Sequence, residues 1–319
     1  MTRRRPRRSG GPWWLAALVA LAPGRAGASE IVTLTTVEAE PYTVALRAVQ
    51  DVLSQQGHRV PLKEYVLKEG PARERILAEI RERPPVLVLT MGSTATSLAR
   101  AQVKDVPIVF CMVLNPLASG LVQSMQSSGN NLTGASLDIP AKLQFEALRS
   151  ALPSAKRVGV LYNPKETEKV VAPAVRAAAA LGIELVTLPV ASAEEVQETV
   201  DALPRKKIDA LWAVADSTVF SSSRSAEFLL RRTLDAKIPV MGLSPAFVKA
   251  GALLALSADY KDVGQQCGEQ AAQVLAGQAP SSLPITVPRK VTLYVNVNVA
   301  RSIGTTIPER VLDSAVLLK

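Results

Sequence analysis

The stretch Val106–Asp138, VPIVFCMVLNPLASGLVQSMQSSGNNLTGASLD, decides the fold. Its first nine residues form an apolar run that is rich in β-branched side chains and too short for a typical helix, which predicts a buried strand. Pro116 ends this strand because proline cannot donate to a sheet ladder. A short amphipathic piece and the polar turn cluster 127–131 follow, and the chain is extended again over 132–139. The cleft edge of a two-lobed α/β protein needs such a strand with a polar tip, followed by a crossing segment.

Strands and helices alternate along the rest of the chain. Fully apolar strands such as 86–89 are expected in parallel sheets that are covered on both faces. The alternation occurs twice, with predicted strands at 31–35, 61–67, 86–89, 157–162, 183–189, 208–215 and 238–243. We therefore predict an α/β fold with two doubly wound, Rossmann-like lobes joined by crossing hinge segments. A second crossing is expected near 253–256, and the tail after 286 is compatible with a third.

Several pieces of the sequence, in their order and spacing, resemble one protein family. The pieces are PIVF…NPLASGLVQS…GNNLTG, KRVGVLYNP (156–164), IDALWAVADSTVFSS (208–222), GQQCGEQAAQVLAGQAPSSLPI (264–285) and YVNVNVARSIGTTIP (294–308). From about residue 31 to 315 the chain resembles the ABC-transporter substrate-binding proteins that include tryptophan- and tyrosine-type binders. That resemblance implies a type I periplasmic-binding-protein fold.

The expected domain organisation follows from the crossings. Residues 1–28 are expected to be a signal peptide. The first lobe is predicted to hold 29–138 plus about 258–290, and the second lobe 139–257 plus about 291–319. Hinge motion is expected at the crossing segments 138–140 and 256–260.

The leader has the three parts of a secretory signal. The basic segment TRRRPRR precedes an apolar run over 13–21, and Ala26-Gly27-Ala28 supplies small residues for cleavage near Ala28. The apolar run is far shorter than the ~20 residues that span a bilayer. We expect a periplasmic or secreted protein, with Sec and twin-arginine export both open. An uncleaved anchor is the alternative.

The charge balance argues against nucleic-acid binding. The formal net charge is +9, but six of the 37 Lys and Arg residues are leader arginines, which leaves 31 basic against 28 acidic side chains. A nucleic-acid-binding domain needs a basic stripe on its folded surface. We therefore expect no nucleic-acid partner.

Polar side chains follow the predicted strands at their carboxyl ends, where open α/β sheets bind ligands. Ser93 and Thr94 lie at a helix N-terminus, whose free N–H groups favour a carboxylate. Plain N-capping explains the same two residues. The candidate ligand-binding residues are Thr36, Glu38, Tyr42, Ser93, Thr94, Asn115, Asn163, Asp216, Ser217 and Thr218.

Asp216 is the one well-placed carboxylate among these candidates. The resemblance to amino-acid binders implies that it pairs with a ligand amino group, and helix capping toward 218–219 is the alternative. Glu38 and Glu40 in the first loop are unlike a simple apolar pocket and favour a cationic ligand group, unless they are solvated loop charges. Trp212 lies inside a strand and is expected in the core.

The cysteine and histidine content and the absence of known catalytic motifs argue against a metal site or an enzyme. Cys111 and Cys267 are expected to be two buried thiols, with a disulfide as the less favoured alternative. One histidine cannot build a His-rich metal site, and the sequence lacks GxSxG, HExxH, GxxxxGK[ST] and GxGxxG. We expect no catalytic activity, cofactor or metal.

The predicted function is the extracytoplasmic solute-binding component of an ABC importer. The resemblance implies a small polar solute, with an amino acid or derivative as the candidate, bound between the lobes, and a membrane permease as partner. We expect a monomer. A periplasmic sensing subunit for a signalling receptor has the same fold and stays open. An enzyme on a similar scaffold and a DNA-binding repressor are disfavoured, the latter because a leader replaces the N-terminal helix-turn-helix.

Overall fold

A computed structural model describes residues 30–319, so the predicted signal peptide lies outside the described residues. The first lobe is built on a parallel five-stranded sheet with the order β2-β1-β3-β4-β5. Its elements are β1 (Ile31–Thr35), α1 (Glu40–Gln55), β2 (Leu62–Val66), α2 (Pro71–Glu82), β3 (Leu87–Met91), α3 (Ser93–Gln102), β4 (Ile108–Val113) and β5 (Leu132–Ser136).

The second lobe is built on a seven-stranded sheet. The chain continues through α4 (Ala141–Ala151), β6 (Arg157–Tyr162), α5 (Pro164–Ala179), β7 (Glu184–Pro189), α6 (Ala193–Ala202), β8 (Ala210–Trp212), α7 (Ser223–Asp235), β9 (Val240–Met241), α8 (Pro245–Ala250), β10 (Leu254–Ala258), α9 (Tyr260–Leu275), β11 (Val291–Asn296), α10 (Val297–Ile303), α11 (Glu309–Ser314) and β12 (Val316–Leu318). The strand order is β12-β11-β10-β9-β8-β6-β7, and β11 runs antiparallel to β10. The expected fold class, two doubly wound α/β lobes, is confirmed.

The helix α9 follows a strand of the second sheet but packs in the first lobe, against α1. The buried face of α1 contains Ala45, Ala48, Val49 and Leu53, at helical spacing. Gly264 of α9 lies so close to α1 that a Cβ there would meet the Ala45 carbonyl oxygen. The close approach of the two helices therefore requires glycine at this position.

The chain passes between the two sheets three times. The first passage follows β5, and the second lies between β10 and α9. On the third, Thr286 bridges Ala135 of the first sheet, and Val291 pairs with Ala258 of the second. Both lobes are therefore connected through short segments at one side of the molecule, which is the arrangement of a hinge.

The cysteines differ from the expectation of two buried thiols. Cys111 in β4 and Cys267 in α9 form a disulfide with a Cα–Cα distance of 5.9 Å, and both side chains are fully buried. The distance lies in the range that a bridge requires. The expectation failed because α9 returns to the first lobe and packs on β4, which a separation of 156 residues in the sequence does not reveal.

Within residues 30–319, no helix is long and apolar enough to cross a membrane.

We predict that alkylation of the denatured, unreduced protein leaves both cysteines unmodified, and that prior reduction exposes two thiols. Because the bridge closes a long loop in the unfolded chain, its loss in Cys111→Ser/Cys267→Ser should lower the free energy of unfolding by about 2–5 kcal/mol. Mass spectrometry and urea denaturation check the two parts. Two reactive thiols before reduction would contradict the disulfide.

Candidate functional site

A cavity of about 490 Å³ lies between the lobes and is lined by residues of both. From the first lobe come the end of β4 and the loop after it, including Leu114 and Asn115. From the second come the residues after β8, including Val214 and Ala215, and the first turns of α4. Most of the lining is apolar. The volume of the cavity lies in the range of small-molecule binding sites. The cavity can enclose a small solute with a substantial apolar part.

Asn115 joins the two lobes at the edge of this cavity. It adopts a left-handed backbone with φ 51°, which asparagine tolerates better than most residues. Its backbone N–H donates to both oxygens of the Asp138 carboxylate, at 2.9 and 3.0 Å. Its side-chain Nδ2 donates to the Ala215 carbonyl oxygen of the second lobe at 3.3 Å. Of the residues predicted from the sequence, Asn115 lines the cavity.

Asp138 lines the same cavity but is missing from the residues that sequence reasoning selected as ligand contacts. It follows β5, where the chain leaves the first lobe. Burial raises the pKa of its carboxyl above the ordinary value, and hydrogen bonds from the Asn115 backbone and the Ser136 side chain offset part of that rise. The available signal was the position of Asp138 at the carboxyl end of a predicted strand.

Trp212 is a core residue, as expected, and also forms part of the cavity wall. It is 2% exposed, and its ring lies 4.9 Å from that of Phe145 in α4, centroid to centroid. Its indole Nε1 donates to Gln144 Oε1 at 2.7 Å. This bond satisfies the one polar atom of the indole and fixes the ring beside the cavity.

Asp216 is already occupied by donors of the protein itself. The residue is 3% exposed. One carboxylate oxygen accepts from the backbone N–H groups of Thr218 and Val219, at 3.0 and 3.1 Å. The other accepts from the Asn163 backbone N–H at 2.7 Å and the Thr167 hydroxyl at 2.6 Å. The four bonds use the lone pairs of both oxygens. The bonds to 218 and 219 are those of the capping alternative, although they lie in a turn before α7 and not at a helix start, and Asp216 positions the loops after β6 and β8.

The neighbours of Asp216 form a closed network that includes Glu166 of α5. Ser217 and Thr218 donate hydroxyl bonds to Glu166 at 2.8 and 2.7 Å, and Asn163 donates to the Thr218 hydroxyl at 2.9 Å. Burial alone raises the pKa of Glu166, but the hydrogen bonds from Thr218 and Ser217 hold it below its ordinary value. The structure thus brings together four of the candidate residues, Asn163, Asp216, Ser217 and Thr218. Their contact with a ligand stays a prediction.

The other five candidates from the first lobe are not among the residues that line the cavity. Ser93 Oγ accepts from the Leu114 backbone N–H at 3.2 Å, so it holds the loop that carries Asn115. Burial raises the pKa of Tyr42, whose hydroxyl lies next to Gly92. Thr94 and Glu38 are exposed, and Thr36 is half-buried. A role of these five residues in binding stays a prediction.

In the part of the chain that the structure describes, no group of three or more His, Cys, Asp or Glu side chains could hold a metal ion.

The two lobes and the mostly apolar cavity between them define a two-lobed solute-binding protein. The family model for ABC transporter substrate-binding proteins matches residues 33–319. The chain belongs to this family. The family prediction from the sequence is confirmed, together with the type I periplasmic-binding-protein fold.

Similar proteins agree with this assignment. A tyrosine-binding protein of Clostridioides difficile strain R20291 is 25% identical over 254 residues, which cover 79% of this chain and 72% of the relative. A solved domain from Streptococcus pneumoniae in complex with L-Trp is 25% identical, with a TM-score of 0.69 over 92% of this chain and all of the other. The ligand-free, open structure of a substrate-binding protein with adhesive properties from Clostridium difficile is 24% identical, with a TM-score of 0.74 over 91% and 99%, and supports the fold alone.

We predict that Asp216→Ala destabilises the protein by about 3 kcal/mol or more, because it leaves four donors, three of them in buried residues, without this acceptor. Urea denaturation of both proteins measures the difference. Asp201→Ala, which removes an exposed ion pair with Arg232, is the control and should change stability by less than about 1 kcal/mol. A loss at Asp216 as small as that at Asp201 would contradict the structural role.

The raised pKa of Asp138 predicts a pH-dependent stability difference. Between the ordinary aspartate pKa and the raised one, the folded state binds more protons than the unfolded state, so the contribution of Asp138 to stability falls as pH rises. Asp138→Asn lacks this titration. The stability of the variant relative to the native protein should therefore increase from about pH 3.5 toward neutral. Urea denaturation across that range checks the sign, and a constant difference would contradict it.

Proposed function

We propose that this protein is the solute-binding component of an ABC importer and captures an amino acid with an apolar, aromatic side chain. The carrying observation is the cavity of about 490 Å³ between the lobes, whose wall contains Leu114, Leu117, Val214 and Leu256. Burying such side chains against an apolar ligand is favourable by about 25 cal/mol per Å² of apolar surface. The few polar groups at the cavity suit the orientation of a small zwitterion.

The position of Glu38 bears on the alternative of a cationic ligand. Glu38 is exposed in the loop before α1 and is not among the residues that line the cavity. Glu40 begins α1, where a negative charge favours the helix N-terminus. Glu38 therefore lies outside this cavity and Glu40 is placed to stabilise the start of α1, while the apolar wall supports an aromatic side chain.

The similar proteins support the same class of ligand. The relative from Clostridioides difficile is a tyrosine-binding protein, and the domain from Streptococcus pneumoniae was solved with L-Trp. At 25% identity these names support an aromatic amino acid for this chain without fixing which one.

The mechanism we propose is closure around the ligand. The cavity has walls on both lobes, so a ligand that touches both favours the closed state over the open one. The lobes are proposed to contain 29–138 plus about 258–290 and 139–257 plus about 291–319, with the hinge at the three passages. The closed form then delivers the solute to a membrane permease. We propose an extracytoplasmic location and a monomeric state in accordance with this role.

We predict that a screen of the 20 amino acids against the protein without its leader identifies an aromatic amino acid. A ligand at 100 times its Kd adds about 2.7 kcal/mol to the stability, which should raise the Tm by about 5 °C. Thermal denaturation with and without each amino acid measures the shift, and calorimetry measures the affinity. A screen without any hit among the aromatic amino acids would contradict the proposed ligand class.

A matched pair of variants tests the place of binding. Leu114 is 42% exposed on the cavity wall, and Leu317 is 47% exposed on β12, outside the cavity lining. Leu114→Asp puts a charge on the apolar wall and should abolish the shift, whereas Leu317→Asp should keep it. Equal binding by both variants would place the site elsewhere.

A further inference from the structure

Another cavity, of about 520 Å³, lies at the edge of the second sheet that faces away from the cleft. We call it the basal cavity. Its walls are formed by residues that precede β6, β8 and β9 and by the turn after α10, whereas the cavity between the lobes is lined by residues that follow β8. The basal cavity is therefore separate from the proposed solute site. The polar side chains in its wall are Ser154, Asp209, Lys237, Thr305 and Thr306.

A group of basic residues surrounds the basal cavity. Each of them lines the cavity or lies within two residues of one that does, and all are exposed. We call this group the basic rim, and it consists of Lys156, Arg205, Lys206, Lys207 and Lys237. The ion pairs of residues 30–319 include none of the five.

The carboxylates close to the basic rim do not balance its charge. Asp209 and Asp235 are the two that lie within two residues of it in the sequence, which leaves three positive charges in excess. The Asp209 carboxylate is also engaged, since it accepts from the backbone N–H groups of Lys156 and Arg157, both at 2.8 Å. A concave surface with an excess of one sign of charge attracts ions of the opposite sign. The basal cavity therefore favours an anion.

Two lysines of the basic rim have a backbone conformation that is unfavourable for lysine. Lys207 and Lys237 have φ 52° and 56°, in the left-handed region. Lys207 lies between the 3-10 helix Leu203–Lys206 and β8, and Lys237 lies between α7 and β9. At five other helix ends of the described chain the left-handed residue is glycine, which adopts this conformation without strain: Gly57, Gly182, Gly251, Gly277 and Gly304.

The helix dipole does not account for lysine at these two positions. A cation near a helix C-terminus is favourable, but any residue of the last turn can supply it without a left-handed backbone. β8 and β9 are paired neighbours, so the two lysines precede adjacent strands of one sheet. This arrangement indicates a role for the two ammonium groups beyond the fold.

We propose that the basal cavity and the basic rim bind a phosphate group. Lysine and arginine are the side chains that proteins use most for phosphate, and the hydroxyls of Ser154, Thr305 and Thr306 supply further donors. A soluble phosphate and the head group of an anionic lipid present the same chemical group. Because the basal cavity lies away from the cleft, binding there is independent of the proposed amino-acid ligand.

The test offers both sources of phosphate to the protein without its leader. Phosphorus NMR measures line broadening of inorganic phosphate, and co-sedimentation measures binding to phosphatidylglycerol vesicles, with net-neutral phosphatidylcholine vesicles as the control. We expect binding in at least one arm, weakening as salt screens the exposed charges. Broadening of inorganic phosphate assigns a soluble anion, and co-sedimentation with phosphatidylglycerol alone assigns a lipid head group. Binding in neither arm would overturn the proposal.

The variant Lys207→Gly/Lys237→Gly separates binding from folding. It removes two ammonium groups and places glycine where the backbone is left-handed, so the Tm should stay within a few degrees of the native value or rise. Binding should become about 10- to 30-fold weaker, as expected for the loss of two lysines at an anionic surface. Lys207→Arg/Lys237→Arg keeps both charges and should bind like the native protein.

A matched variant in the first lobe tests the location of the site. Lys68→Ala/Lys104→Ala removes two exposed lysines far from the basal cavity in the sequence and should leave phosphate binding unchanged. An equal loss in this variant, or undiminished binding by Lys207→Gly/Lys237→Gly, would overturn the site. The thermal shift with an aromatic amino acid should be the same in every variant, so a failure of the proposed function is seen separately.

Discussion

The hydrogen bonds from the Asn115 backbone N–H to the Asp138 carboxylate hold the cleft edge on which the site depends. Asn115 lies two residues after the end of β4, and Asp138 lies two residues after the end of β5, so the bonds connect two neighbouring strand ends. The left-handed backbone of Asn115 directs its side chain toward the second lobe, where it reaches Ala215. One residue thus holds the first crossing segment and contacts the opposite wall of the cavity.

The other two passages are held by a different interaction. Asp262 at the start of α9 is buried, and its carboxylate lies 3.3 Å from a guanidinium nitrogen of Arg289 and 3.3 Å from the ammonium of Lys290. Arg289 also pairs with Glu269, which lies about two helical turns beyond Asp262 in α9. Because α9 follows the second passage and 289–290 belong to the third, this cluster joins the two segments. The lobes are therefore connected by three short segments, and this cluster of ion pairs joins two of them.

Local sequence signals predicted the fold, and contacts distant in sequence decided the site. Apolar runs, prolines and caps predict the strands and helices of both lobes, and the polar tip after β4 contains Asn115, which lies on the cavity wall. Asp138 was not among the predicted site residues because its position on the cavity wall depends on the pairing of β4 with β5. Two of the four donors to Asp216 come from Asn163 and Thr167, about 50 residues away, so the sequence could not show that both of its oxygens are occupied. The disulfide was missed for the same reason.

The distribution of apolar surface explains why a ligand should favour closure instead of binding one lobe. Leu114 is 42% exposed on the first wall, whereas Val214 on the second wall is buried. Under the proposed function, an aromatic ring between them would cover more of Leu114 if the lobes approached, and each Å² of apolar surface removed from water contributes about 25 cal/mol. This contribution depends on the separation of the lobes, so it differs between the open and closed states. A ligand shifts a conformational equilibrium by its difference in affinity for the two states, and the exposed leucine supplies such a difference.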